Sequence, residues 1–515
     1  MIYLTITVSL LSGALYVAGF APFNLWFAPL ISLYLLAYML NERHPWEGML
    51  IGLFFGLGMM GVGVSWIYTS INTYSSATNE QAVLVTALFC ITLALFYAIH
   101  GYIYCRLNFS KKSIFHLFYS SSLMRILSFS LLWTLLELIR SKLYVGFPWL
   151  LLGDSMIDTY LAPWAPIGGS FLVGFLACVT SACAYHAIKL LPSIYVRRHQ
   201  YQLLGLLLIA ILPWAIGSKL MQYNWTNEIR QLKVTVVQGN IPQERKWDPN
   251  FADDIIGIYR AATYLNLDSE LVVWPEAATP YVYPRGSQVH NEINERLKQN
   301  GVRLVYGGLR NEPNNGVLNS IFVAGEYSQI KSVYDKNILV PFGEFMPFAS
   351  MSKYLPSLFA NIDMSVFITR SGDKPAVFTL NDFTIAPSIC YEVVHGSYIA
   401  KLAKNSNLLI SISNDAWFGN SLGPHQHMHA ARMRALENQQ YLIRASNNGV
   451  TAIVDDRGSI IARIPQFKYD TLKHNVVLRE GHTPYQYIGD MPVWGISIVG
   501  LWFCWFRRNK SLNQV

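Results

Sequence analysis

Long, nearly unbroken apolar stretches fill the first 225 positions, and a mixed, more polar pattern follows. A helix needs about 20 apolar residues to cross a bilayer core. Such runs lie near 3–20, 23–41, 49–70, 82–104, 118–138, 164–188 and 202–219, with another near 489–506. The spacing predicts eight membrane helices, seven before the polar stretch and one after it. The first run has no basic segment ahead of it, and a second apolar run follows at once. It therefore reads as a retained helix rather than a cleaved leader. From 226 to 485 the apolar runs shorten and become β-branched: 233–238, 271–274, 302–306, 319–324, 383–389, 407–413, 451–454 and 474–478. Helical patterns fall between some of them, near 250–266, 287–300 and 424–440. Asp456-Arg457-Gly458 reads as a hairpin turn. Mixed strand and helix order predicts a layered α/β or α+β domain.

Composition sharpens this division. Only 14% of the 515 residues are charged and 52% are hydrophobic. Soluble domains carry about 25% charged residues, so neither an ordinary soluble globule nor a disordered chain fits. Residues 1–225 hold 17 of the 70 Asp, Glu, Lys and Arg, residues 226–485 hold 49, and the last thirty hold 4. The expected domains are a membrane domain over residues 1–225, a polar domain over 226–485, and an eighth span with a short tail over 486–515. The net charge of +8 is not a nucleic-acid signal, because no basic stripe with interleaved aromatics accompanies it. Arg43, then Arg106, Lys111 and Lys112, then Lys189, Arg197 and Arg198, then Arg507, Arg508 and Lys510 occupy alternate loops. Basic loops face the cytoplasm, so both termini are expected inside and the polar domain outside, in a bacterium the periplasm. Arg125, Glu137 and Arg140 lie near the ends of the fifth run. They read as interfacial or mutually paired charges, or as lipid-headgroup contacts. Gly146-Phe147-Pro148-Trp149 must break the helix just beyond them.

Chemistry concentrates in the polar domain. Cys90, Cys105, Cys178, Cys183 and Cys504 sit in or beside the apolar runs and read as small fillers. Cys390 is the one cysteine of the polar domain and follows the strand-like run Phe383–Ile389. Taken alone, it reads as a buried filler or as a nucleophile. Glu276 follows the run Leu271–Pro275, and Lys336 follows Ser332–Asp335. Strand ends on one sheet edge gather into sites in layered α/β folds. A thiol needs a base to lose its proton and a cation to hold the resulting charge. Glu276 suits the first task. Lys336 suits the second and then the oxyanion, together with a backbone N–H such as that of Tyr391.

Trp274-Pro275-Glu276, the Lys336 segment, Cys390-Tyr391-Glu392 and Ser413-Asn414-Asp415-Ala416-Trp417-Phe418-Gly419 resemble the Glu-Lys-Cys motifs of the nitrilase, or carbon–nitrogen hydrolase, superfamily. Leu339-Val340-Pro341-Phe342-Gly343-Glu344, Gly146-Phe147-Pro148-Trp149 and the eight apolar runs are similar to its membrane-bound branch, the apolipoprotein N-acyltransferases. The resemblance implies an α-β-β-α sandwich carried on a polytopic helical membrane bundle. It implies an acyltransferase that moves a fatty acyl chain from a phospholipid onto the cysteine as a thioester. The chain then passes to the α-amino group of a diacylglyceryl apolipoprotein, in ping-pong order, in the bacterial inner membrane. Glu276 would be the base, Lys336 the stabilising cation and Cys390 the nucleophile. Glu344, Tyr391, Glu392, Trp247 and Trp149 would be supporting or substrate-binding positions. Ile338 stands where members often have histidine, and Gln439-Gln440-Tyr441 where they have Gly-Arg-Pro.

No cofactor or metal is expected. His425, His427 and His429 alternate, so only the outer two share a helix face, and no acidic third ligand is evident. The apolar segment Phe345–Ile368 reads as a packed loop or, in preference, as a mobile arm that dips toward lipid and covers the site. Lipid substrates require the thiol near the bilayer surface, and a thioester must be kept from water. The main rival is a membrane-tethered nitrilase-type amidase acting on a small amide. A transporter is weaker, because no pair of broken helices suggests a midplane site.

Overall fold

The computed structural model describes residues 2–75, 77–108, 122–283, 287–312, 316–325, 333–341, 343–345, 370–373, 376–380 and 382–512. They form two compact units. One holds Met1–Tyr68, Asn79–Tyr223 and Ile488–Val515, and the other Thr69–Thr78 and Asn224–Tyr487.

The first unit is helical. Each of the eight apolar runs holds a helix: Ile2–Val17, Phe27–Leu40, Pro45–Gly63, Asn79–Asn108, Ser122–Lys142, Ala165–Leu190, Arg197–Leu220 and Met491–Leu512. Among the described residues, five helical segments are long and apolar enough to cross a bilayer: Pro45–Gly63, Asn79–Asn108, Ser122–Lys142, Ala162–Ser193 and Arg197–Leu220. Tyr3–Val17, Phe27–Leu40 and Met491–Phe506 are shorter apolar helices. Eight full-length spans were expected. Gly19 and Pro22 stop the first run early, because Pro cannot continue a helix and Gly weakens one.

Glu137 and Arg140 do not pair with each other or reach for water. Both are buried. Arg140 Nη1 donates to the carbonyls of Phe147 (2.7 Å) and Trp149 (2.8 Å). Glu137 Oε1 accepts the N–H of Leu152 at 3.0 Å. The chain beyond the helix is thus folded back and held by the helix's own charges, which satisfy backbone groups that would otherwise be orphaned. Trp149 is buried there against Trp66, ring centroids 5.0 Å apart. Arg125 donates to Asn41 Oδ1 at 2.7 Å.

The second unit is a two-sheet sandwich. Its strands are β1 (Thr226–Gln238), β2 (Leu271–Val273), β3 (Val282–Tyr283), β4 (Arg303–Glu312), β5 (Gly316–Ala324), β6 (Val333–Asp335), β7 (Phe378–Thr379), β8 (Thr384–Ile389), β9 (Leu408–Ser413), β10 (Leu442–Ser446), β11 (Thr451–Val454), β12 (Ile460–Ile464) and β13 (Asp470–Gly481). One sheet runs β13-β1-β2-β4-β5-β6, with β3 beside β4, and the other β12-β11-β10-β9-β8-β7. The centres, β1-β2-β4 and β8-β9-β10, are parallel.

Strand side chains alternate between faces, and each face here has a partner. Leu232, Val234, Val236, Leu271, Val273 and Val305 meet Ile385, Ile389, Leu408, Ile410, Ile412 and Ile443 between the sheets. The alternate residues Val237, Val272, Trp274, Leu304 and Tyr306 pack outward on Ile255, Ile256, Tyr259, Ile293 and Leu297. Those come from helices Ala252–Tyr264 and Ser287–Asn300. Helices Gly396–Ala403 and Gly423–Asn438 accompany the other sheet, giving the layered α/β sandwich. The Asp456–Gly458 turn joins antiparallel β11 and β12, with Gly458 at φ +80°. Gln439 takes the left-handed conformation at the end of helix Gly423–Asn438, φ +44°. Its side chain offsets this by accepting the N–H of Trp225 at 2.6 Å. Beyond Phe345, the expected arm lies outside the described residues.

Candidate active site

Three strand ends converge. Glu276 stands three residues past β2, Lys336 directly follows β6 and Cys390 directly follows β8. Glu276 turns into the site because Gly307 of β4 lies beneath it. A Cβ at Gly307 would meet Glu276 Cα, Ala277 N and Pro275 O at 2.7 Å each. The Glu276 carboxylate then accepts Asn319 Nδ2 (2.7 Å) on Oε1 and the N–H of Asn414 (2.7 Å) on Oε2. Lys336 Nζ lies 3.8 Å from Glu276 Oε1 and 2.7 Å from Glu344 Oε1. Glu344 is anchored in turn by the N–H of Val340 at 2.8 Å. Cys390 is partly buried and within electrostatic range of Glu276, Lys336, Asp415 and Glu344.

The charge balance follows from burial. Burial alone favours a neutral Lys336, but the Glu344 and Glu276 carboxylates outweigh it and hold the ammonium above the ordinary lysine range. Burial, and then Glu276, push the Cys390 thiol well above its usual range, and Lys336 offsets only some of this. Burial and the neighbouring carboxylate thus both favour the thiol over the thiolate at Cys390.

Cys390 takes a left-handed backbone, φ +51°, between β8 and the short helix Cys390–Val394. For a non-glycine residue this conformation is uncommon and is kept only where neighbours hold it. Glu392 is one such neighbour. It is fully buried and accepts Ile389 N–H (2.7 Å) and Tyr334 O–H (2.7 Å) on one oxygen. Its other oxygen accepts Asn337 N–H (2.6 Å) and Ile338 N–H (3.1 Å). The same carboxyl therefore ties the Cys390 turn to the Lys336 loop. Burial still pushes its pKa up to about 7.

The positions expected from the sequence divide accordingly. Glu276, Lys336, Glu344, Cys390, Tyr391 and Glu392 come together in the second unit. Trp247 belongs to the same unit and is exposed. Its neighbour Lys246 is buried and donates to the Glu276 carbonyl at 3.0 Å. Trp149 lies in the first unit and packs as described. Sequence reasoning missed Lys246, Asn319, Tyr334 and Arg444, and it weighed His427 only as a member of a histidine tract. Instead, His427 Nε2 lies 3.0 Å from the Cys390 carbonyl. Polar residues inside strand-like runs, Asn319 and Arg444, were the available signal.

A helical unit of membrane-spanning character joined to a sandwich with this carboxylate–lysine–thiol junction defines a membrane-bound protein of the carbon–nitrogen hydrolase class. Residues 233–482 match the carbon-nitrogen hydrolase family, and residues 12–183 match the apolipoprotein N-acyltransferase N-terminal domain. Over 511 residues the chain is 37% identical to the apolipoprotein N-acyltransferase of Azotobacter vinelandii, covering 98% of this chain and 95% of that one. Over 492 residues it is 36% identical to that of Pseudomonas syringae pv. tomato, covering 94% and 93%. The structure of Saccharomyces cerevisiae Nit3, of the nitrilase superfamily, overlaps 52% of this chain and 97% of its own at 19% identity and a TM-score of 0.37. The chain belongs to the apolipoprotein N-acyltransferase family.

Proposed function

We propose that this protein transfers a fatty acyl chain from a phospholipid to the α-amino group of a diacylglyceryl-cysteine apolipoprotein, through a thioester on Cys390. In the first half, Cys390 Sγ attacks the ester carbonyl while Glu276 takes the thiol proton. Lys336 and the N–H of Tyr391 meet the oxyanion. The ester C–O bond breaks, and the lysophospholipid leaves with the proton that Glu276 returns. In the second half, the neutral amine attacks the thioester and Glu276 accepts its proton. The C–S bond breaks, an amide forms, and the thiol is regenerated. This is a ping-pong sequence.

The observation that carries this reading is the buried Glu276–Lys336–Glu344 junction, with Cys390 on a left-handed turn, in a chain of this family. A high thiol pKa suits a nucleophile deprotonated only as it attacks. Glu344 then positions Lys336, and Glu392 and Trp247 support the site. The proposed domains are a membrane domain over residues 1–225, the catalytic domain over 226–485 and the closing span over 486–515. If all eight apolar helices span the inner membrane with the basic loops inside, both termini lie in the cytoplasm and the catalytic domain in the periplasm.

The test is acceptor choice. Purified protein is given phospholipid and a diacylglyceryl peptide, and peptide N-acylation is followed by mass spectrometry. Transfer to the amine, lost in Cys390→Ala, is expected. Ammonia release from simple amides without peptide acylation would instead establish the amidase reading.

A further inference from the structure

Beneath the nucleophile lies a buried polar chain that the reaction as written does not use. Arg444 of β10, His427 of helix Gly423–Asn438 and Asp415 after β9 are each at most 2% exposed. Arg444 Nη2 lies 2.8 Å from His427 Nδ1 and 3.0 Å from Asp415 Oδ2. Ser446 Oγ also donates to Asp415 Oδ2, at 3.1 Å. His427 Nε2 lies 3.0 Å from the carbonyl oxygen of Cys390.

The tautomer follows from the partners. A guanidinium N–H only donates, so Nδ1 at 2.8 Å must accept. The ring proton is then on Nε2, which donates to the Cys390 carbonyl. Asp415 Oδ1, 3.3 Å from Nδ1, neutralises Arg444 rather than taking a proton from the ring. Burial and Arg444 together keep the ring neutral, with Asp415 opposing them in some measure. A second observation argues for a role beyond stability. Among the described residues, Nε and Nη1 of the fully buried Arg444 have no hydrogen-bond partner. A buried guanidinium left half-satisfied is a cost that packing alone does not repay.

The Cys390 carbonyl and the Tyr391 N–H belong to one planar peptide unit and point in opposite directions. Holding the carbonyl therefore aims the N–H. The geometry points to His427, backed by Arg444, as a positioning residue that fixes the Cys390–Tyr391 peptide so that its N–H faces the oxyanion. The inference rests on the acyl-transfer reading above and adds the element that orients its oxyanion donor. It also gives the left-handed Cys390 turn a second anchor, on the Cys390 carbonyl, where Glu392 holds the Ile389 N–H.

The test is the acylation half-reaction on the full chain in detergent or lipid. Removing an oxyanion donor outright costs about 100- to 1,000-fold in kcat, and misaiming one should cost a fraction of that. His427→Ala is expected to slow Cys390 acylation by about 10- to 100-fold, with KM for phospholipid within about twofold. His427→Gln offers an oxygen to Arg444 and an N–H to Cys390, and should recover at least tenfold of the loss. The apolar variant Leu297→Ala, which opens a cavity in the core beneath helix Ser287–Asn300, should lose stability but keep its acylation rate per folded molecule. Wild-type acylation rates in His427→Ala would overturn the inference. So would a glutamine variant no faster than alanine, or a loss carried in KM. If the wild-type chain forms no acyl-Cys390 at all, it is the acyl-transfer reading that fails, and the two failures are distinct.

Discussion

Replacing Glu392 by glutamine changes one atom at the point where the Cys390 turn and the Lys336 loop are tied together. The carboxyl accepts five donors: Ile389 N–H and Tyr334 O–H on one oxygen, and Asn337 N–H, Ile338 N–H and, at 3.5 Å, Tyr398 O–H on the other. Glutamine keeps one acceptor oxygen. If that oxygen serves Ile389 and Tyr334, the new NH2 faces the N–H groups of Asn337 and Ile338, donor against donor. Burial holds the Glu392 pKa up to about 7 even with these bonds in place, so near neutral pH the site takes a neutral side chain about as readily as the carboxylate. Glutamine should therefore change stability by no more than about 3 kcal/mol, the size of that shift at 1.36 kcal/mol per unit. The geometric effect remains, because the Lys336 loop is no longer fixed to the turn that carries the sulfur. A misplacement of about 1 Å costs about 100-fold in rate. The expected result is a thermal midpoint only a few degrees lower with acylation slowed by roughly two orders of magnitude, read by stopped-time mass spectrometry of the Cys390 peptide. Full acylation activity in Glu392→Gln would refute the tethering role. A collapse of the fold would refute the site's tolerance of a neutral side chain.

Other consequences are independent of that tether. Burial lowers the Lys246 pKa to about 8, with Glu276 opposing, whereas an unfolded chain keeps that proton to about 10.5. Between those values the unfolded state binds more protons, so this group's contribution to stability rises with pH across about 8–10.5. Lys246→Met should flatten that rise in midpoint-against-pH curves, and an unchanged slope would count against the burial argument. A Cβ at Gly449 would lie 2.1 Å from Asp415 Oδ2. Gly449→Ala should therefore cost about 1–3 kcal/mol as overpacking does, and a neutral midpoint would show that the Asp415 network can move. Arg140→Met strips donors from the Phe147 and Trp149 carbonyls. At about 1–3 kcal/mol for each buried group left unpaired, it should shorten the thermal half-life in detergent, while Arg140→Lys, with its single head, should recover only some of the loss.

What could be read from residues alone depended on range. The long apolar runs of the first unit and the short β-branched runs of β1, β2, β4, β8 and β9 report burial of contiguous residues, so their elements are visible locally. β10 escaped notice because Arg444 interrupts its apolar run. Only the tertiary fold, which brings Asp415 and His427 to that guanidinium, makes a buried charge there tolerable. Helix ends were harder still. The first apolar run is long enough by count, but its helix stops at Val17. Glu276, Lys336 and Cys390 were legible because each closes a strand-like run. Their supports were not. The bonds to Glu276 come from Asn319 and Asn414, 43 and 138 residues away in the chain. The hydrogen bond from His427 to the Cys390 carbonyl spans 37. No local pattern encodes such contacts.

The central claim is that Cys390 carries the acyl chain. Incubating the protein with a phospholipid of defined acyl composition, then digesting and weighing the Cys390 peptide, tests it directly. The account predicts a mass increase equal to one acyl group, removed by hydroxylamine, discharged on adding a diacylglyceryl peptide, and absent in Cys390→Ala and strongly reduced in Glu276→Gln. An unmodified Cys390 peptide from a preparation that nonetheless acylates the acceptor would contradict it.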